Sequence, residues 1–195
     1  MVFGGYKMSI VCLGDSLTYG YEVPTSQSWV SQLATLSHWD LINKGIPGET
    51  TLDMKRRLNS DVFHLNPSKI IFMGGTNDLF LGRSINEILS TIDEILSTFK
   101  AHDLPAILLT PLPINEKVIV KRFFSEADYV KVNQDLNLLR SQLIDYATKH
   151  QLKLIDIGNQ VFHLPNYTEY FLRDGIHVQP VIYQMIAETI WHALS

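Results

Sequence analysis

Short, continuous apolar runs alternate along this chain with longer stretches in which apolar residues return every three or four positions. Residues 8–13, 41–42, 69–73, 106–109 and 152–155 read as strands, and the continuous run 69–73 as the buried central one. The intervening stretches read as helices. Trp29, Val30, Leu33, Ala34 and Leu36 keep helical spacing behind Ser26 or Ser28 as an N-cap, and residues 52–63 form a short helix. Ser84-Ile85-Asn86-Glu87 is a capping box that opens a helix with Ile85, Ile88, Leu89, Ile92, Ile95, Leu96 and Phe99 on one face. Val132, Leu136, Leu139, Leu143 and Tyr146 mark a long helix. A last one starts near Pro180 and turns Ile182, Met185, Ile186 and Ile190 inward. Residues 111–124 are too proline-rich and irregular for either element and read as a long loop at one edge of the sheet.

Strand followed by helix, five times over, predicts an α/β fold in which a five-stranded parallel sheet is covered on both faces: a three-layer αβα sandwich with right-handed crossovers. No repeat or linker interrupts the pattern, so residues 1–195 are expected to form one domain, and 46% hydrophobic residues suffice for its core. Residues 1–7, which precede a second methionine, read as a ragged extension.

Charge narrows the partners. The net charge is −4 and the lysines and arginines are scattered, which gives no face for nucleic acid. Cys12 is the single cysteine and cannot form an internal disulfide; inside an apolar strand it reads as an inert core residue. The first apolar run breaks at Gly14-Asp15, too short for a membrane span or a signal-peptide core, so no stable membrane insertion and a cytoplasmic location are expected. No Cys/His cluster or His-Glu-x-x-His suggests a metal.

That same break is where chemistry enters. A strand ending in Gly14-Asp15-Ser16-Leu17 leaves a serine hydroxyl at the carboxyl end of the sheet, where open α/β folds bind ligands, so Ser16 reads as a nucleophile. Such a serine needs a base and an oxyanion site. The Gly-x-Ser-x-Gly elbow is absent around it.

Four blocks in order, Gly14-Asp15-Ser16-Leu17, Asn43-Lys44-Gly45-Ile46-Pro47-Gly48-Glu49-Thr50, Gly75-Thr76-Asn77-Asp78 and Asp174-Gly175-Ile176-His177, resemble the blocks of the GDSL/SGNH hydrolases over nearly the whole chain. The resemblance implies the flavodoxin-like strand order 2-1-3-4-5. It raises Asp174 and His177 above the bland readings of turn residue and capping histidine: with Ser16 they are expected to form a catalytic triad, Asp174 orienting the imidazole that takes the Ser16 proton. It also implies an oxyanion hole from the N–H groups of Ser16 and Gly48 and the side-chain amide of Asn77. Asp15 and Asp78 are assigned to loop hydrogen bonds, and Asn43 and Thr50 to bracing the second block.

One departure is Val178-Gln179-Pro180, since the family often has proline directly after its histidine; a less rigid histidine loop follows. The expected function is a serine esterase or acylhydrolase that forms an acyl-enzyme on Ser16, needs no cofactor, and acts on a small-molecule ester with a short acyl group. Carbohydrate O-deacetylase, thioesterase and lysophospholipase are alternatives on the same triad, and a catalytically silent acyl-ligand-binding protein is the alternative from another class. Phe80, Leu81 and the 111–124 loop, with Phe123 and Phe124, are expected to wall the pocket, while Lys117, Lys121 and Arg122 read as solvated charge.

Overall fold

A computed structural model describes residues 8–119 and 127–195. Phe123, Phe124, Lys121 and Arg122 therefore lie outside the described residues. Five parallel strands, β1 (Ser9–Gly14), β2 (Asp40–Gly45), β3 (Lys69–Phe72), β4 (Ala106–Leu109) and β5 (Lys153–Ile155), make one sheet in the order 2-1-3-4-5. β1 sits between β2 and β3, with Val11 beside Ile42 on one side and Ile70 on the other. The fold class is the one the sequence pattern predicted, and the strand order is the one the family resemblance implied.

Side-chain alternation along the strands builds two cores. Val11, Leu13, Ile70, Phe72 and Leu108 face α3 (Thr51–Arg56), α4 (Leu58–Asp61), α6 (Ile85–Ala101) and α7 (Tyr129–His150). Ile10, Cys12, Ile71, Met73, Ile107 and Leu109 face α2 (Trp29–Ser37), α8 (Ile157–Phe162) and α9 (Pro180–Leu194). Burial on both faces explains why β1, β3 and β4 read as unbroken apolar runs. β2 is an edge strand and runs four residues beyond Leu41–Ile42, through Asp40, Asn43, Lys44 and Gly45, because half-exposed positions carry no apolar signal.

The capping box at Ser84 and Glu87 is formed, and Ser28, not Ser26, caps α2, its hydroxyl accepting the Ser31 N–H. The single helix expected over 52–63 is instead two, interrupted at Arg57. Two further short helices, α1 (Ser16–Tyr19) and α5 (Thr76–Phe80), are separated by one residue from the end of β1 and by three from the end of β3. They put the first and third sequence blocks at the carboxyl edge of the central strands, beside the second block at the end of β2.

Candidate active site

β1 turns into α1 with no intervening loop. Asp15 is the N-cap, its Oδ1 accepting the Leu17 N–H at 2.9 Å, and Ser16 is the first helical residue. Gly14 is required by crowding: a Cβ there would lie 2.2 Å from Thr18 Oγ1 and 2.9 Å from the Met73 carbonyl. A donor at the first position of a helix has no carbonyl one turn back, so the Ser16 N–H stays outside the α1 ladder.

The fourth block approaches from the loop before α9. Asp174 Oδ1 accepts the N–H groups of Ile176 and His177, each at 2.9 Å, while Oδ2 lies 2.5 Å from His177 Nδ1. The other ring nitrogen, Nε2, is 2.8 Å from Ser16 Oγ. With the proton on Nδ1, the carboxylate accepts from the ring and Nε2 accepts from the serine hydroxyl. Burial of Asp174 raises its pKa, but the hydrogen bonds from the His177 ring and from the two N–H groups outweigh it and hold the carboxyl below its ordinary value. The Tyr21 ring packs on the imidazole with centroids 4.6 Å apart.

Proline is not needed to hold this loop. Val178 is fully buried and bridges Phe171 in antiparallel fashion, Leu172 donates to the His177 carbonyl at 2.7 Å, and Gln179 donates to Tyr170 at 2.8 Å. The 111–119 segment supports it from behind. Asn115 donates its N–H to the Gly175 carbonyl at 2.8 Å and its side-chain amide to Thr168 at 2.9 Å.

Gly48 and Asn77 come to the same place from the second and third blocks. Gly48 has φ +84°, a left-handed conformation that suits glycine, and open space where a side chain would be. Asn77, buried in the first turn of α5, donates one amide hydrogen to the Glu49 carbonyl at 2.9 Å. Both line a cleft of about 200 Å³ with Ser16, His177, Tyr21, Pro47 and Ile176. Ser16, Gly48, Asn77 and His177 thus share one cleft, with Asp174 behind the imidazole.

The bracing residues act through the backbone. Asn43 donates to Thr18 and accepts from the Gly45 N–H, both at 2.9 Å, and Thr50 forms a capping box with Asp53. Asp78 accepts from the Thr51 N–H and hydroxyl and pairs with Arg83. Asp15 is buried beside the site, and desolvation lifts its carboxyl from 3.8 to about 6.

Phe80 and Leu81 do not wall this cleft. Phe80 is buried in the core against α7, because α5 turns it away from Ser16, and Leu81 is exposed on a separate groove with Arg83 and Lys131. Tyr21, Pro47 and Ile176 take that role. Pro47 and Ile176 stand inside the sequence blocks themselves, which was the available signal; Tyr21, five residues beyond Ser16, had none of its own. Lys117 is exposed. His102 and His150 stack on Phe63 and Tyr146, far in sequence from any block. Among the described residues, no three His, Cys, Asp or Glu side chains are grouped as a metal ion would require, and no helix is long and apolar enough to cross a membrane.

With this geometry in place, comparison with known proteins decides the family. A model of the GDSL-like lipase/acylhydrolase family matches residues 12–185. The chain belongs to that family, a class of carboxylic ester hydrolases. It is 26% identical over 186 residues to an arylesterase of Vibrio mimicus, covering 93% of this chain and 85% of that one. It is also 32% identical over 125 residues to the uncharacterized lipoprotein YqeF of Bacillus subtilis, a match that takes in 57% of this chain and about half, 51%, of the lipoprotein. Among solved structures, a lipolytic protein of the G-D-S-L family from Desulfitobacterium hafniense superposes with a TM-score of 0.82 at 22% identity, over 96% of this chain and all of that one, and so shares the fold.

Proposed function

We propose that this GDSL family member is a serine esterase that cleaves small, water-soluble esters with short acyl groups through an acyl-enzyme on Ser16. The observation that carries the reading is the unbroken chain from Asp174 Oδ2 to His177 Nδ1 and from His177 Nε2 to Ser16 Oγ, at 2.5 and 2.8 Å, opening on a cleft that also holds Gly48 and Asn77.

Ser16 Oγ attacks the ester carbonyl carbon as its proton passes to His177 Nε2, and Asp174 stabilises the imidazolium that results. The carbonyl oxygen takes up the negative charge facing the N–H groups of Ser16 and Gly48 and the free amide hydrogen of Asn77. The imidazolium then protonates the leaving alcohol, and the acyl group stays on Ser16. Water then attacks the acyl carbon as it gives a proton to His177, and the imidazolium returns that proton to Ser16 Oγ as the acyl–oxygen bond breaks and the carboxylic acid leaves. Every proton in the cycle moves through one imidazole nitrogen.

The size of the cleft supports a short acyl group. Its volume of about 200 Å³ falls below the roughly 300–1,000 Å³ usual for drug-sized ligands. Similarity to the Vibrio arylesterase along nearly the whole chain supports activated aryl esters as first substrates. The test is a panel of nitrophenyl esters from acetyl to decanoyl, with acetylated sugars, acyl-CoA and lysophospholipid beside it. Acetyl to butyryl esters should turn over fastest and Ser16→Ala should lose turnover while melting like the wild type. Retained hydrolysis in that variant would remove Ser16 from the chemistry; preference for lysophospholipid, acyl-CoA or acetylated sugar would move the substrate to that class. A wild type that neither hydrolyses any ester nor reacts with a fluorophosphonate would favour a silent acyl-ligand binder.

A further inference from the structure

The three proposed oxyanion donors sit on three separate connections: after β1, after β2 and after β3. Beyond Gly14 and Gly45 the β1 and β2 ladder has ended, and the one backbone bond across the gap is Ile46 N–H to the Gly14 carbonyl, at 3.0 Å. A misplacement of about 1 Å costs on the order of a hundredfold in rate. Something else has to set the spacing.

Arg57 occupies that gap. It is the residue at which α3 and α4 part, and its side chain is largely buried, 11% exposed. Nη2 donates to the carbonyl of Gly14, the last residue of β1, at 3.1 Å, and to that of Lys44, beside the end of β2, at 2.9 Å. Nε donates to Glu49 Oε2 at 2.5 Å and Nη1 to Asp61 Oδ2 at 2.8 Å. Glu49 follows Gly48 directly, and its carbonyl accepts the Asn77 amide at 2.9 Å. One planar guanidinium therefore ties the strand that delivers Ser16 to the loop that carries Gly48, and through the Glu49 backbone to Asn77. Its charge is balanced by Glu49 and Asp61, the latter also 3.4 Å from Lys44.

We infer that Arg57 is the positioning residue of the oxyanion pocket, clamping the Gly14, Lys44 and Glu49 segments so that the donors of Ser16, Gly48 and Asn77 converge on one point. A fold-stabilising arginine alone would not need to reach two strand-end carbonyls and the neighbour of Gly48 at once. A lysine would keep the charge but not the planar fork that holds four acceptors in fixed directions. This inference rests on the esterase reading above.

The test uses Arg57→Lys, with Glu49→Gln as a milder variant that removes the charge from the tie to the Gly48 loop, weakening that bond, and leaves the two carbonyl contacts. Active sites are first counted with a fluorophosphonate, so that rates refer to folded enzyme. Arg57→Lys should lower kcat about ten- to a hundredfold with KM changed less than about threefold. The affinity for a short-chain boronic acid, which mimics the tetrahedral intermediate, should fall by the same factor as kcat/KM. Glu49→Gln should move both quantities in the same direction by less, and it keeps the inference testable if the lysine variant does not fold. Wild-type kcat per titrated site and wild-type boronate affinity in the variants, with only the melting temperature lowered, would overturn it and leave the esterase reading standing. A wild type that neither titrates nor hydrolyses would overturn both.

Discussion

Asn77→Ala separates a transition-state donor from a loop brace. The substitution deletes one amide with two foreseeable losses: the bond to the Glu49 carbonyl and the second amide hydrogen, proposed above to donate to the oxyanion. The first is a stability term, about 1 kcal/mol for the bond and up to about 3 if the carbonyl is left dry. For a domain of this length that is a fall in melting temperature of very roughly 2–10 °C. The second is a catalytic term. In the ground state the ester carbonyl carries little charge, whereas attack by Ser16 loads the oxygen, so the donor acts mainly in the transition state. Loss of one such donor costs about 2.7–4 kcal/mol, or roughly 10²–10³ in kcat. Steady-state kinetics with a short nitrophenyl ester, corrected for the fraction folded, should therefore show that drop in kcat with little change in KM. A kcat within about tenfold of wild type, with KM raised and the melting temperature lowered, would leave Asn77 as a brace and refute the reasoning.

Two further predictions concern buried polar groups. Asp15 has its carboxyl lifted from 3.8 to about 6 by burial, so between about pH 4 and 6 the folded protein holds a proton that the unfolded chain has lost. Its contribution is most favourable below pH 4 and is lost as pH rises to 6, by ~3 kcal/mol at about 1.4 kcal/mol per pKa unit. Asp174 has the opposite sign: its depressed pKa stabilises above about pH 4 and that gain is lost as pH falls through the folded value. Melting curves from pH 3 to 8 should show Asp15→Asn gaining on wild type as pH rises and Asp174→Asn losing on it; parallel curves would contradict both. The Tyr183 hydroxyl is buried with no hydrogen-bond partner among the described residues, so Tyr183→Phe should be neutral or raise stability by about 1 kcal/mol, and a clear loss in a denaturant titration would show that the hydroxyl is satisfied.

The sequence carried the elements whose environment is uniform along their length. β3 and β4 are apolar on both faces, and α6 turns one stripe to the sheet behind a formed capping box, so period and cap alone predict them. α1, α5 and α8 are four to six residues long, too short for any helical period to show. The break between α3 and α4 was hidden for a different reason: the apolar spacing continues through it, and the residue at the break, Arg57, takes its partners from carbonyls 13 and 43 positions away, which no local pattern reveals. The site divides in the same way. Ser16 could be named from the break at the end of β1, whereas Gly48, Asn77, Asp174 and His177 could be named only because they stand in blocks that resemble those of the family. The walls depend on how short helices are turned: α5 sends Phe80 into the core, and the chain after α1 returns Tyr21 over His177.

The same demand recurs around the whole carboxyl edge of the sheet. β1 and β2 end two residues before the cleft and β3 five before Asn77, so the connections lose their ladder partners while still buried, and side chains must take over the backbone's hydrogen bonds. Asp15 does this for Leu17, Asn43 for Gly45 and Thr18, Asp78 for Thr51, Arg57 for Gly14 and Lys44, and Thr110, held by Asp156, for Gly158. These groups are polar or charged in a buried part of the fold, where their own desolvation costs stability. Asp15 shows the conflict most plainly, since burial works against its charge at neutral pH. What an apolar side chain could not do is fix a loop by two or three directed bonds. The edge of the sheet is thus built for the placement of N–H groups and one hydroxyl at a cost in stability. Substitutions there that raise the melting temperature should tend to loosen the cleft.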